Sequence, residues 1–267
     1  MKEKGEQGPK IIKSVQRAID IIMLFSAQES QLGITEIASR LGLAKSTVAG
    51  LVSTLERNGF LDQDSETRKY RMGLRLVERA ATTLDTIELR HIAFPYMAKL
   101  RDLCDESVFL GIPRRDAIVV IGRVLSSKVL GVRTGIGAAL PFVGTAMGTA
   151  FLSGISPHQL SAFIEEYLAH HVEFASMQDR EALLDKVSTA RRIGYAVNMR
   201  GREHGITHIA APIMDVDGHP VGAIGVSVPS VRMPDARIPE MGSKIAEIAL
   251  SISSEMGYQL FRESQDS

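Results

Sequence analysis

Residues 33–61, GITEIASRLGLAKSTVAGLVSTLERNGFL, hold two short apolar runs of helical spacing broken by a glycine, a pattern that leaves few folds open. Ile34, Ile37, Ala38 and Leu41 recur on one helical face. Gly42 ends that helix, and Val48, Leu51, Val52 and Leu55 rebuild an apolar face after the turn. Helices this short need a shared core, so the pattern predicts a helix-turn-helix whose second helix can enter a DNA major groove. The opposite face of that helix carries Lys45, Ser46, Ala49, Gly50, Ser53 and Arg57, small or polar residues that do not obstruct a duplex. Upstream, Val15, Ala18, Ile19, Ile22 and Phe25 recur behind a Ser14 cap and supply a third helix. Downstream, Phe60-Leu61 and Tyr70-Met72 flank DQDSETRK, which reads as a two-stranded wing tipped by Arg68 and Lys69. Such three-helix units also occur in protein-binding modules, and the helix pattern alone leaves both uses open.

With 267 residues the chain is long enough for a second domain. Its formal charge is zero, and over residues 1–90 basic side chains outnumber acidic ones by only two. DNA affinity therefore has to come from local placement of Lys45, Arg57, Arg68, Lys69 and Arg71 rather than from a basic surface. The single cysteine, Cys104, excludes an intrachain disulfide, suits a reducing cytoplasm and reads as a small helix residue without chemistry. Residues 1–10 lack the apolar core of a signal peptide and read as a disordered tail. Residues 134–164 contain no Asp, Glu, Lys or Arg, which raises the question of a membrane span. Gly135, Gly137, Pro141, Gly144, Gly148 and Gly154 interrupt the stretch, so a buried loop leading into a buried helix is expected and no membrane partner.

Beyond the wing, Leu74, Leu76, Val77, Ala80, Ala81 and Leu84 alternate with charged residues, giving a linker helix whose apolar side needs a partner, most naturally a second protomer. A helix over His91–Cys104 follows, with Pro95 in its first turns. From Ser107 the texture becomes β-like: 108–112, 117–124, 129–133, 195–199, 206–214 and 220–228, with Asp217-Gly218 as a tight turn between the last two. Helices are expected over 145–154, 158–168 and 179–193, the last capped by Asp179 and stopped by Gly194, and again after Pro234. The whole is an α+β chain with helices packed on an antiparallel sheet.

Chemistry beyond binding finds little support. His204 and His208 are four apart, with Asp215 and Asp217 nearby, but the surrounding sequence is β-like and ordinary strand histidines are the plainer reading. No metal is assigned. His170-His171 reads as an exposed helix end. There is no Gly-x-Ser-x-Gly elbow, GTAMGT lacks the lysine of a phosphate loop, and no Gly-x-Gly-x-x-Gly follows a strand. Neither catalytic residues nor a cofactor are called for. A purely architectural DNA-binding protein has little use for the small-residue, uncharged wall of 134–155.

In order along the chain, SVQRAIDIIMLF, LAKSTVAGLVSTLERNGFL, YRMGLRL, RRIGYAV, HIAAPIMDVDG and AIGVSVP resemble the IclR family of bacterial transcriptional regulators, over about residues 14–258. The resemblance implies a winged helix-turn-helix domain (11–73) after the tail (1–10), a linker helix (74–90) and a GAF- or PAS-like effector-binding domain (91–262). It implies a homodimer or dimer of dimers on a palindromic double-stranded operator, with half-sites roughly one helical turn apart, acting as a repressor under control of a small metabolite. An enzyme-like domain with an appended DNA-binding domain is the rival reading.

Two departures from the family follow. Its members often carry larger polar residues where this chain has Ala49 and Gly50, so Ser46, Thr47, Ser53 and wing Arg68 are expected to read more of the site, with Lys45 on phosphate. The metabolite position implied by the resemblance falls on Val132, Phe142, Thr145, Ala146, Met147, Asn198, Met199, Pro212, Gly225 and Ser227. Ser227, Thr145 and Asn198 are expected as hydrogen-bond partners, and Met147 and Phe142 as apolar walls. Where relatives are often acidic, Arg200 and Arg202 reverse the local charge and favour a small anionic effector, an organic acid, unless they are merely solvated strand-end charges.

Overall fold

In a computed structural model the chain is described over residues 11–26, 28–132, 134–171, 177–199 and 205–259. It divides between Thr86 and Ile87 into two compact units. The tail expected for residues 1–10 lies outside the described residues, as do Arg200, Arg202 and His204.

The first unit comprises α1 (Lys13–Met23), α2 (Ile34–Leu41), α3 (Lys45–Arg57), the antiparallel hairpin β1 (Leu61–Gln63) and β2 (Tyr70–Met72), and α4 (Arg75–Asp85). Gly42 ends α2 at φ +63, a left-handed value that glycine adopts without penalty. At the other end of α2 the Glu36 carboxylate accepts from the Gly33 N–H at 2.6 Å, satisfying a donor the helix itself leaves open. Ile21, Leu32, Ile37, Val48, Val52, Leu61 and Tyr70 form one buried core. Leu32 exchanges backbone hydrogen bonds with Tyr70, fastening the wing to the segment before α2.

Two expectations for α1 are corrected. Ser14 lies inside the helix, and the residue before it, Ile12, makes no side-chain cap. The face α1 buries is that of Ile21, with Leu24 and Phe25 packed beside it, while Val15 and Ile19 are exposed. The position of α3 selects which apolar residues of α1 face inward, and the helix carries more of them than this small core can take.

The second unit comprises α5 (Glu88–Cys104), β3 (Ser107–Arg114), β4 (Ala117–Val124), β5 (Ala139–Pro141), α6 (Ala146–Gly154), α7 (Pro157–His170), α8 (Met177–Ile193), β6 (Ala196–Asn198), β7 (Ile206–Met214), β8 (Pro220–Pro229) and α9 (Ile238–Glu255). The strands form one antiparallel sheet in the order β5-β4-β3-β8-β7-β6. Helices α5 and α9 pack on one face, and α6 lies on the other with α8 against it. Strand alternation divides the side chains accordingly: Phe109, Ala210 and Ala223 join the core under α6, and the intervening Leu110, Ile209 and Ile224 point towards α5 and α9. Eight of the nine residues of α6 are buried, as the uncharged 134–164 stretch requires. Among the described residues no helix is long and apolar enough to cross a membrane.

Of the strand expected over 129–133, Arg133 lies outside the described residues and 129–132 form no strand: Val129 and Leu130 are exposed, and the edge strand is Ala139–Pro141. Side chains take over the hydrogen bonding that a ladder would have supplied to this loop. The Asp105 carboxylate accepts from the Ser127 N–H and hydroxyl, and Arg232 donates to the Leu130 carbonyl while gripping Glu106 with two further N–H groups. Pro95 falls at mid-helix, because α5 begins at Glu88. Asp179 lies within α8, which starts at Met177, and two short 3-10 turns separate Pro229 from α9.

Candidate DNA-reading face and effector cavity

On α3 the exposed residues are Lys45, Ser46, Gly50, Thr54 and Arg57, with Thr47, Ala49 and Ser53 half-buried. Ser46, Gly50, Thr54 and Arg57 follow helical spacing and form a single stripe. Its only long side chain is Arg57, at the C-terminal end. Thr54 turns its hydroxyl back onto the Gly50 carbonyl at 2.9 Å, so part of the stripe is engaged with the helix itself. Residue 44 is an alanine without a capping side chain, which leaves the first N–H groups of α3 available to an anion such as phosphate.

The wing is held open by Asp64. Its carboxylate accepts from the Glu66 and Thr67 N–H groups and the Thr67 hydroxyl at 2.8–3.0 Å, and these bonds, that to the Thr67 amide above all, hold the carboxyl below the ordinary aspartate range. Arg68 sits at the tip with φ +57. Lys69 is placed differently from expectation: its ammonium lies 3.2 Å from Glu36 and ties the wing to α2, so part of its charge is spent within the unit. Lys45, Arg57 and Arg68 carry no ion pair among the described residues.

In the second unit a cavity of about 320 Å³ opens between the sheet and the start of α6. Strand register builds its floor. Asn198 on β6, His208 on β7 and Ser227 on β8 lie directly opposite one another, and the next row inward is Ala210, Gly225 and Phe109. Cross-strand partners share a face, so three polar side chains stand abreast beside a row that Ala210 and Gly225 keep small next to the Phe109 ring. Gly225 has to be small: a Cβ there would lie 2.6 Å from the Ile209 carbonyl oxygen and 2.8 Å from the Ala210 Cβ. The roof comes from Thr134, Leu140, Gly144, Thr145, Ala146 and Met147. Thr145 caps α6, accepting from the Gly148 N–H at 3.0 Å, and so turns the positive end of the helix dipole towards the cavity. Asn198 donates its amide to the Gly144 carbonyl, joining floor to roof.

Six of the residues assigned through the resemblance line this cavity: Thr145, Ala146, Met147, Asn198, Gly225 and Ser227. The remaining four lie elsewhere. Phe142 is fully buried, its ring edge-on to Phe163 at 4.9 Å and to Tyr167 at 6.0 Å, and Val132 belongs to the same core. Met199 is exposed, and Pro212 lines a separate hollow between α8 and α9. His208 was not among the expected ligands, yet its Nδ1 lies 2.7 Å from the Ser227 hydroxyl oxygen. The two are 19 residues apart, and only the β7–β8 register brings them together. Among the described residues no other lining residue is titratable. On the same sheet face Arg123, opposite Phe109, donates to the Thr134 carbonyl at 3.3 Å.

Other candidate chemistry disperses. Asp215, Asp217 and His219 come close at the β7–β8 turn, but the Asp215 carboxylate already accepts from the Asp217 and His219 N–H groups as part of that turn. Burial pushes the Cys104 thiol up, away from the reactive thiolate, and it donates to the Leu100 carbonyl.

Two family models match the chain in succession. Residues 14–65 match the IclR helix-turn-helix domain, and residues 81–254 match the bacterial transcriptional regulator IclR C-terminal domain. The chain is 31% identical over 248 residues to the HTH-type transcriptional regulator XynR of Escherichia coli K12, covering 93% of this chain and 98% of that protein. Its fold is shared with the crystal structure of an IclR family transcriptional regulator from Brucella abortus, at a TM-score of 0.78 and 24% identity, over 95% and 96% of the two chains. An IclR homologue from Microbacterium hydrocarbonoxydans, crystallised in complex with 4-hydroxybenzoate, has the same fold at a TM-score of 0.74 and 21% identity, over 91% and 98%. With a DNA-reading unit, an antiparallel-sheet unit and both domain matches in the same order, the chain belongs to the IclR family of bacterial transcriptional regulators.

Proposed function

We propose that this regulator is a cytoplasmic repressor that binds a palindromic double-stranded operator as a homodimer or dimer of dimers and is released or retained according to a small organic acid bound in its second unit. The observation that carries the reading is the cavity: about 320 Å³, near the lower end of ordinary small-ligand sites, with a polar row on its floor and a helix N-terminus in its roof. A polar row beside a helix N-terminus suits a carboxylate, and an IclR homologue of the same fold was crystallised in complex with an aromatic one, 4-hydroxybenzoate. The working division is a winged helix-turn-helix over 11–73, a linker helix over 74–90 and an effector domain over 91–262. In the first unit Lys45 and the first turn of α3 meet phosphate, and Ser46, Thr47, Ser53, Arg57 and wing Arg68 meet the grooves, with Ala49 and Gly50 allowing close approach.

The test is operator binding by fluorescence anisotropy with and without 4-hydroxybenzoate and related acids. Arg57→Ala and Arg68→Ala are each expected to weaken binding roughly 5- to 150-fold, in line with about 1–3 kcal/mol per base contact. Met147→Trp fills the cavity and should leave operator affinity intact while abolishing the acid response. A response that survives in Met147→Trp removes the cavity from the mechanism.

The Ser227–His208 pair also gives an enzyme-like reading its one foothold, since a histidine beside a serine is how hydroxyl nucleophiles are activated. Such a histidine needs a third group to orient it, and no carboxylate lines the cavity among the described residues. We therefore read the pair as a ligand-binding group and the protein as no enzyme. Recovery of each acid unchanged after prolonged incubation, checked by chromatography, is the expected result.

A further inference from the structure

Resting on the reading of the protein as a homodimer on a palindromic operator, we infer that Gly73 is a positioning residue for operator recognition. It lets the start of the linker helix α4 seat against the end of the reading helix α3, and the angle so fixed sets the half-site spacing that the dimer accepts. Gly59, at φ +72, reverses the chain where α3 ends. Its N–H donates to the Glu56 carbonyl at 2.8 Å and the Phe60 N–H to the Leu55 carbonyl at 2.9 Å, which closes the helix and fixes where the Gly59 and Phe60 carbonyls point. Both carbonyls are taken up by the chain returning from the wing. Gly73 donates to Phe60 at 2.8 Å, extending the hairpin ladder beyond the Leu61–Met72 pair, and Arg75, the first residue of α4, donates to Gly59 at 3.2 Å. The first N–H groups of a helix have no partner within it, so α4 begins on an acceptor that the end of α3 provides. The contact requires glycine at position 73. A Cβ there would overlap the Gly59 carbonyl oxygen and lie 2.9 Å from the Phe60 carbonyl carbon. These are backbone atoms of the turn that ends α3, and they cannot swing aside as a side chain would.

Side-chain packing contributes little to the direction of α4, because that helix buries none of its residues. Its direction is set at its first turn, by the backbone contact with Gly59 and Phe60. The compact unit that holds α3 runs to Thr86 and includes the whole of α4. The reading helix and the linker helix therefore move as one body. Leu74 and Val77, both exposed, belong to the apolar side of α4 for which a second protomer is the natural partner. With the dimer contact on α4 and the base contacts on α3, the separation of the two reading helices follows from the angle held at Gly73. Adding or removing one base pair between half-sites displaces them by about 3.4 Å and turns them by about 35° around the duplex. Two helices joined backbone to backbone cannot follow that change, whereas a loose joint can.

The experiment uses the full chain. A preferred duplex is recovered by in vitro selection from a random double-stranded DNA library, then rebuilt with its half-sites moved together or apart by single base pairs, and as one half-site alone. Affinity is read by fluorescence anisotropy, with light scattering for the dimer and circular dichroism for the fold. The wild type is expected to show one optimal spacing, with affinity roughly tenfold lower one base pair to either side, comparable to the loss of a base contact. Gly73→Ala is expected to move that optimum and to weaken the selected operator roughly tenfold, while base preference and affinity for the single half-site stay unchanged. A merely structural role would lower affinity for every duplex alike and leave the optimum in place, and that result overturns the inference. A Gly-Ser insertion between Gly73 and Leu74 parts α4 from the turn without adding a Cβ to the tight contact, so it decides the question even where Gly73→Ala does not fold. It should flatten the spacing profile. A wild type indifferent to spacing, or a wild-type profile in either folded variant, overturns the inference and leaves the homodimer reading standing. Selection of unpaired half-sites only, or a monomer by light scattering, overturns the homodimer reading and the inference with it.

Discussion

At the residue scale, Gly225 and Phe142 separate what shapes the cavity from what supports it. Gly225→Val would force a side chain against Ala210 and the Ile209 carbonyl, parting β7 from β8. The expected cost is about 1–3 kcal/mol, read as a lower urea midpoint, together with loss of ligand binding. Phe142→Ala empties an aromatic cluster and is expected to cost about 3–5 kcal/mol through packing, without removing a ligand contact. Where sequence resemblance placed residues on the cavity, turn and strand chemistry explain why it could. Thr145 is a helix cap that fixes Ala146 and Met147 behind it, and Gly225 and Ser227 alternate onto one face of β8. His208 was hidden because its meaning lies in a register partner on another strand, while its sequence neighbours point only to an ordinary strand or a metal.

At the element scale, the wing depends on one carboxylate. Asp64 is held below its ordinary range by the Thr67 and Glu66 donors, so its folded value lies under its unfolded one. The stabilisation is then complete above the unfolded value, about 3.9, and is lost as pH falls through the lower folded value. The Glu66 and Thr67 amide resonances should therefore move together with a midpoint below 3.9 in an NMR pH titration. Asp64→Ala is expected to weaken operator binding several-fold at neutral pH by freeing the turn that presents Arg68. Elements built on periodicity, such as α2, α3 and β8, were legible in the sequence. The segment 129–132 was not, because its apolar, β-branched composition matches a strand, while Asp105, Glu106 and Arg232, distant in sequence, hold the loop in another shape.

At the scale of the whole molecule, the first unit has more apolar surface than a lone chain should show. Ile12, Val15, Ile19 and Met23 leave one side of α1 bare, and Leu74 and Val77 do the same for α4, which has no buried residue. Rows of exposed apolar side chains of this kind mark a protein-binding surface, and a second protomer is the occupant proposed above. Val15→Glu combined with Val77→Glu is expected to yield a folded monomer by size-exclusion chromatography with light scattering, and to lower operator affinity by at least tenfold. A dimer of unchanged stability would place the interface elsewhere. Sequence periodicity showed these faces but not which of them the core would leave uncovered, since that depends on how many side chains the small unit can bury. The stripe on α3 adds an evolutionary consequence. Gly50 is exposed, and a Cβ placed there would meet nothing within 4 Å. Almost any substitution other than proline can therefore be accommodated without cost to the fold, and many would strengthen the helix by up to about 1 kcal/mol. The centre of the reading helix is thus a position where a lineage can try new operators one mutation at a time while the rest of the protein stays as it is.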